Sequence, residues 1–133
     1  MIRFVSRRAY LWLPPIAYAA LIFWLSSLSD PLPQVSVLVW DKALHAIEYA
    51  GLGFLVCRAL RGEGLGWSWA VALAIVVTAM YGGGDEWHQA AVAGRQATAS
   101  DWTADVVGAI LGAFSHRPLV VVLFDSGMSG RRQ

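Results

Sequence analysis

The chain has 133 residues, enough for one domain, and it carries 57% hydrophobic and 14% charged residues, against roughly 45–50% and about 25% in a typical globular domain. So much apolar sequence in so short a chain leaves too little polar surface to enclose a water-soluble core, and the excess must face lipid. A net charge of +1 with no dense basic run argues against a nucleic-acid surface, and the single cysteine, Cys57, excludes an internal disulfide and a cysteine-based zinc site.

Arg3, Arg7 and Arg8 precede an almost wholly apolar run, Ala9 to Leu28, and about 20 such residues cross a bilayer core as a helix. Basic residues before the run and Ser26, Ser27 and Ser29 after it also fit a cleaved signal, with Ser6-Arg7-Arg8 faintly like a twin-arginine signal. The run is long for a signal, and cleavage would leave only the three later spans. Pro14 and Pro15 kink this helix or mark its first turn. Asp30-Pro31-Leu32-Pro33 reads as a loop, and 34–40 as a short connector ending at Trp40, an interfacial anchor.

From Asp41 the pattern turns helical and supports a second span over 42–60, provided His45 and Glu48 face other protein. Arg58, Arg61, Gly62 and Gly64 end it. Cys57 lies in this apolar stretch, where a thiol behaves as a small hydrophobe. A third span covers 65–84, and Gly82-Gly83-Gly84 permits either close packing or a break. A fourth covers 101–116 and stops before Pro118. The apolar piece 119–124 is too short to cross alone; it extends the fourth helix or lies on the membrane surface. Ser126 to Gln133 reads as a disordered basic end.

The basic residues fix an orientation. The N-terminus (Arg3, Arg7, Arg8), the second connector (Arg58, Arg61) and the C-terminus (Arg117, Arg131, Arg132) hold eight of the ten, and positive residues stay cytoplasmic. Only Glu63 and Asp125 fall on that side, whereas Asp30, Asp41, Glu48, Asp85, Glu86, Asp101 and Asp105 lie toward the other. The expectation is an all-α integral membrane bundle: one domain over 1–133, four transmembrane helices, both termini cytoplasmic.

Ionisable groups at a membrane edge are costly and are usually paired or functional, so Tyr81 to Asp105 stands out. On the second span His45, Glu48 and Tyr49 share a face, as do Asp85, His88 and Gln89 at the end of the third. On the fourth, Asp101, Asp105, Gly108 and Gly112 form a stripe whose glycines make a G-x-x-x-G for close helix approach, so both aspartates point into the bundle. Ser100 and Asp101 sit where an N-cap is expected.

The runs DKALHAIEYAGLGFL and DEWHQAAVAGRQATASDWTADVVGAILG resemble the VanZ-like family of small bacterial membrane proteins. The family's Asp-Lys-x-x-His-x-x-x-Tyr block falls on Asp41, Lys42, His45 and Tyr49. Its Asp-Glu-x-x-Gln block falls on Asp85, Glu86 and Gln89, its Gly-Arg on Gly94 and Arg95, and its later Asp on Asp101. Asp105 departs from the pattern, since many members carry Asn there. The resemblance spans most of residues 20–113. It implies a cell-envelope role in the bacterial cytoplasmic membrane, and through the family's namesake a link to teicoplanin-type glycopeptide resistance.

Three uses of these residues remain open. They are structural glue, with Arg95 pairing Asp85, Glu86 or Asp101 and Lys42 pairing Asp41. Alternatively they bind an amphiphile such as a lipid head group, a lipid-linked wall precursor or a lipoglycopeptide. The ligand-binding candidates are Asp41, Lys42, His45, Tyr49, Asp85, Glu86, Gln89, Arg95, Asp101 and Asp105. Arg95 and Lys42 would hold a phosphate or carboxylate, and Trp87, Trp102 and Tyr49 would border the apolar part. In the third use they catalyse: His45 with Glu48, and Glu86 with His88, supply acid–base pairs and could ligate a divalent cation. No H-E-x-x-H or G-x-S-x-G motif accompanies them, so no catalytic residue, metal or cofactor is assigned. Ion or proton conduction through Glu48 and Asp105 is the remaining alternative.

Overall fold

The computed structural model describes residues 2–29 and 41–128, with side chains over 7–29 and 41–117. The expected loop at 30–33, the connector at 34–40 with Trp40, and the tail from 129 lie outside the described residues. Four helices make up the described chain: α1 (Ile2–Ser26), α2 (Asp41–Gly62), α3 (Trp67–Gln89) and α4 (Ala99–Met128). Three of them contain stretches long and apolar enough to cross a membrane, Arg7–Ser26, Asp41–Gly62 and Trp67–Gln89.

Each helix outruns its apolar run. Helix α1 continues through Pro14 and Pro15 rather than starting at them; in lipid a broken backbone has no water to bond, so a helix tolerates proline instead of ending there. Helix α3 passes uninterrupted through Gly82-Gly83-Gly84 and carries Asp85 to Gln89 within it. Helix α4 does not stop before Pro118 but runs on to Met128, so 119–124 extend it and 126–128 are helical. A proline in a helix forfeits one backbone bond, and the apolar residues after it give the chain no better alternative.

Between α2 and α3 the turn is tight. Gly64 takes a φ of 97°, the left-handed position that closes a helix with glycine. Leu65 N–H then bonds the Leu60 carbonyl at 3.2 Å, and Gly64 N–H bonds that of Arg61 at 3.0 Å, which is the Schellman pattern.

The helices alternate in direction, so α2 and α4 run parallel, as do α1 and α3. Helices α2 and α4 make the most extensive interface, with almost no side chain between their backbones. A Cβ at Gly108 would collide with the Ala46 carbonyl, one at Gly112 with the Ala50 carbonyl, and one at Gly53 would lie 2.7 Å from the Ala109 oxygen. Ala59, Ala70, Ala74, Ala109 and Ala113 are fully buried, and Tyr49, Leu52, Val56 and Cys57 fill the centre. Leu13, Ile16, Trp24, Ile47, Val76, Met80 and Leu111 are exposed instead, the reverse of a soluble protein's partition and the surface a helix presents to lipid.

The close approach makes a testable contrast. Gly112→Ala lowers stability by about 1–3 kcal/mol, the usual cost of overpacking. Gly84→Ala, where an added Cβ meets nothing within 4 Å, raises it by about 0.5–1 kcal/mol through helix propensity. Thermal unfolding in detergent measures both; equal effects at the two sites would contradict the packing described.

Candidate functional site

The ends of the bundle differ in kind. At one end α1 begins and α2 closes. Arg7 donates to the Gly62 carbonyl at 2.7 Å, Trp12 to Glu63 at 3.0 Å, and Arg8 lies 3.6 Å from Glu63. The Arg58 guanidinium covers the Tyr10 ring, and Arg117 covers Trp67, as cations do over aromatic faces. His116 stacks on Trp67 there. At the other end the C-termini of α1 and α3 meet the N-termini of α2 and α4, and there the polar residues collect.

The parallel contact of α2 and α4 sets two tiers of charge pairs. In the outer tier Lys42 Nζ binds Asp101 Oδ1 at 2.5 Å, and Thr98 Oγ1 donates to Asp101 Oδ2 at 2.6 Å. One turn further in, His45 Nδ1 lies 2.9 Å from Asp105 Oδ1 and 3.9 Å from Glu86 Oε1. Asp101 and Asp105 are both buried, as their helical stripe requires. Tyr49, a turn below His45, is buried at 1% exposure; it cannot border an open site as the sequence suggested.

Thr98, rather than Ser100 or Asp101, caps α4. Its hydroxyl accepts the Asp101 N–H at 3.2 Å, while its own N–H goes to Glu86 Oε2 at 3.0 Å. Capping boxes normally return that N–H to the third helical residue. Here a carboxylate from another helix takes it, so the start of α4 is tied to the end of α3. The pattern Thr98-x-x-Asp101 carries this cap in the sequence.

A third set joins α1, α3 and the loop before α4. Ser26 Oγ donates to Asp85 Oδ1 at 2.6 Å, Gln89 Nε2 to Asp85 Oδ2 at 2.9 Å, and Arg95 Nη2 to Gln89 Oε1 at 2.7 Å. Arg95 thus reaches Asp85 through Gln89 rather than directly, and Lys42 pairs with Asp101 rather than with Asp41, which is exposed. Gly94, at a φ of 85°, supplies the left-handed turn just before Arg95. Nothing in the sequence marked Ser26 as a partner of Asp85, since the contact crosses between helices.

The expected acid–base pairs are not the ones the fold makes. Residues two apart on a helix face different ways: Glu86 turns toward His45, while His88 turns toward α1 and stacks on Phe23, ring centroids 4.5 Å apart. His88 Nε2 meets Ser27 Oγ at 3.0 Å. Because Ser27 gives its proton to the Phe23 carbonyl at 2.7 Å, His88 donates to the hydroxyl and does not activate it. Glu48 is half-buried and outside hydrogen-bonding range of His45.

Four buried side-chain atoms have no hydrogen-bond partner among the described residues: Tyr49 Oη, Thr78 Oγ1, Glu86 Oε1 and Asp105 Oδ2. Two sets of side chains bring metal-capable atoms within 4.8 Å of one another, Asp41, His45 and Asp101, and His45, Glu86 and Asp105. Beside Glu86 an open groove of about 340 Å³ runs between the end of α3 and the start of α4, bordered by Gly83, Trp87, Thr98 and Trp102. Trp102 is held there by a 2.9 Å bond to the Ala79 carbonyl, and Trp87 stands 84% exposed.

Because Asp101 is buried and Lys42 is its cation, Lys42→Met leaves a buried carboxylate uncompensated. It is expected to lower the unfolding temperature more than Lys42→Met combined with Asp101→Asn. A double-mutant cycle by thermal unfolding in detergent checks this, and simple additivity would refute it.

Among family models, the one described as VanZ/LLP1 matches residues 3–123 of the chain. No curated protein and no solved structure matches it.

Proposed function

The chain belongs to the VanZ/LLP1 family, and from that membership we propose a four-span protein of the bacterial cytoplasmic membrane that binds an amphiphile at its outer face. Helix α4 is the fourth span, both termini are cytoplasmic, and the polar end opens outward. The bound group is the head of a lipid, a lipid-linked wall precursor or a lipoglycopeptide, and lowered teicoplanin susceptibility is the phenotype that the family's association suggests.

One observation carries this reading. Apart from Thr78 in the middle of α3, the buried polar side chains described on the four helices gather at a single end, next to a groove whose rim is two tryptophans and whose wall is Glu86. Aromatic rings with one polar edge suit the membrane interface, and a groove that is apolar on one side and charged on the other suits a molecule divided the same way. The arginines at the opposite end support the orientation, since positive residues are retained in the cytoplasm. Arg95 is half-buried and spends one N–H on Gln89; its guanidinium offers further donors of the kind that hold a phosphate or carboxylate.

A purely structural role for the cluster fits less well. Glue satisfies its members, and here two buried carboxylate oxygens have no partner among the described residues. Of the acid–base pairs expected for catalysis neither is formed, and His45 meets Asp105 instead.

Two measurements test the proposal. In a Cys57→Ser background, Ala93→Cys is labelled in intact cells by a membrane-impermeant maleimide and Gly66→Cys only after lysis; the opposite result reverses the orientation. In nanodiscs, labelled lipid-linked precursor, phospholipid and teicoplanin are titrated against the protein. Arg95→Ala is expected to weaken the ligand that binds by about tenfold or more, the worth of a charge-assisted hydrogen bond. If none of the three saturates the folded protein, or Arg95→Ala changes nothing, the binding role is lost.

A further inference from the structure

We infer that His45, Glu86 and Asp105 form a binding site for one divalent transition-metal cation, facing the groove beside Glu86. The three side chains come from α2, α3 and α4 and meet where no chain segment links them locally. Their donor set is one imidazole nitrogen and two carboxylates.

An acidic cluster alone would not carry this. The independent observation is that, among the described residues, Glu86 Oε1 and Asp105 Oδ2 have no hydrogen-bond partner although their residues are only 8% and 1% exposed. Leaving a charged acceptor buried and unsatisfied is expensive, and Glu86 aims that oxygen at the same imidazole that Asp105 already holds. Gly82 lets the Asp105 carboxylate approach α3 closely, for a Cβ there would stand 3.0 Å from Oδ2 and 3.1 Å from the Tyr49 ring.

The spacing also fits. Metal–ligand bonds of about 2.0–2.2 Å place neighbouring ligand atoms on the order of 3.0–3.5 Å apart. His45 Nδ1 stands 2.9 Å from Asp105 Oδ1 and 3.9 Å from Glu86 Oε1, and all three ligand atoms lie within 4.8 Å of one another, so a cation is accommodated by drawing the side chains together by on the order of an ångström. Imidazole with carboxylate suits zinc and its first-row neighbours, whereas calcium and magnesium prefer oxygen alone. Three protein ligands leave a coordination position for an outside group, and Glu86 lines the groove from which it would enter. If the head-group reading above holds, the cation is what draws an anionic head group to a site otherwise rich in carboxylates.

The test uses the full chain in detergent, stripped of metal by chelation and titrated with Zn²⁺ and Co²⁺ without lipid ligand. One ion per chain is expected, with visible Co²⁺ absorption and a raised unfolding temperature on Zn²⁺ addition. Glu86→Gln and Asp105→Asn should each weaken binding by at least the roughly 10–100-fold that loss of a mere outer-shell partner costs. A variant with both other histidines replaced, His88→Ala and His116→Ala, should bind as wild type and show coupling to a single imidazole nitrogen by Cu²⁺ electron paramagnetic resonance. No binding by the folded wild type, binding that persists in both folded carboxylate variants, or loss of the nitrogen coupling in the histidine variant overturns the site. Head-group binding measured with and without Zn²⁺ separates the two ideas: metal binding without a head group leaves the site standing, and head-group binding indifferent to Zn²⁺ removes only the bridge between them.

Discussion

Two parallel helices touching backbone to backbone organise this protein. Gly108 and Gly112 lie against the carbonyls of Ala46 and Ala50, and Gly53 lies against that of Ala109. With no side chains to hold the helices apart, their axial register is fixed by shape. That register sets Lys42 opposite Asp101 and His45 opposite Asp105. In a membrane such helices have little hydrophobic reason to associate, because lipid is as apolar as their surfaces, so close packing and polar contacts must hold them. The glycine seam and the charged tiers are therefore two parts of one contact.

The remaining helices complete the polar end rather than merely enclosing it. Helix α3 contributes Glu86, which spans from the N–H of Thr98 to the neighbourhood of His45, and so couples the cap of α4 to the inner tier. Helix α1 contributes Ser26, whose hydroxyl meets Asp85. Asp85 is satisfied by two neutral donors and Asp101 by a lysine and a hydroxyl. Glu86 and Asp105 each keep one oxygen without a partner among the described residues. That imbalance lies at the inner tier and, at Glu86, beside the groove.

Polar asymmetry along the bundle gives the arrangement its direction. Arginines at one end bind helix-end carbonyls and aromatic faces. At the other end Asp85, Glu86, Asp101 and Asp105 are buried. Lipid-facing residues between the two are large and apolar, so the same sequence partitions twice, along the bundle axis by charge and across it by polarity.

Much of this was legible in the chain itself. Composition and run length announced membrane helices, because twenty apolar residues have few other stable placements. Helical spacing put Asp101, Asp105, Gly108 and Gly112 on one buried face, and spacing also grouped Asp85 with Gln89. What the sequence could not determine was pairing between helices. It suggested His45 with Glu48 and Glu86 with His88, neighbours along one strand of text. The folded chain instead joins His45 to Asp105 and Glu86, Lys42 to Asp101, Asp85 to Ser26, and His88 to Ser27. Spacing also carried helix through Asp85 to Gln89 and left open whether 119–124 extend the fourth helix; the fold continues that helix through Pro118. Local chemistry governs which residues can form a helix and which face they share; only the register of one helix against another decides which charges meet, and that register is a property of packed surfaces that no single segment contains.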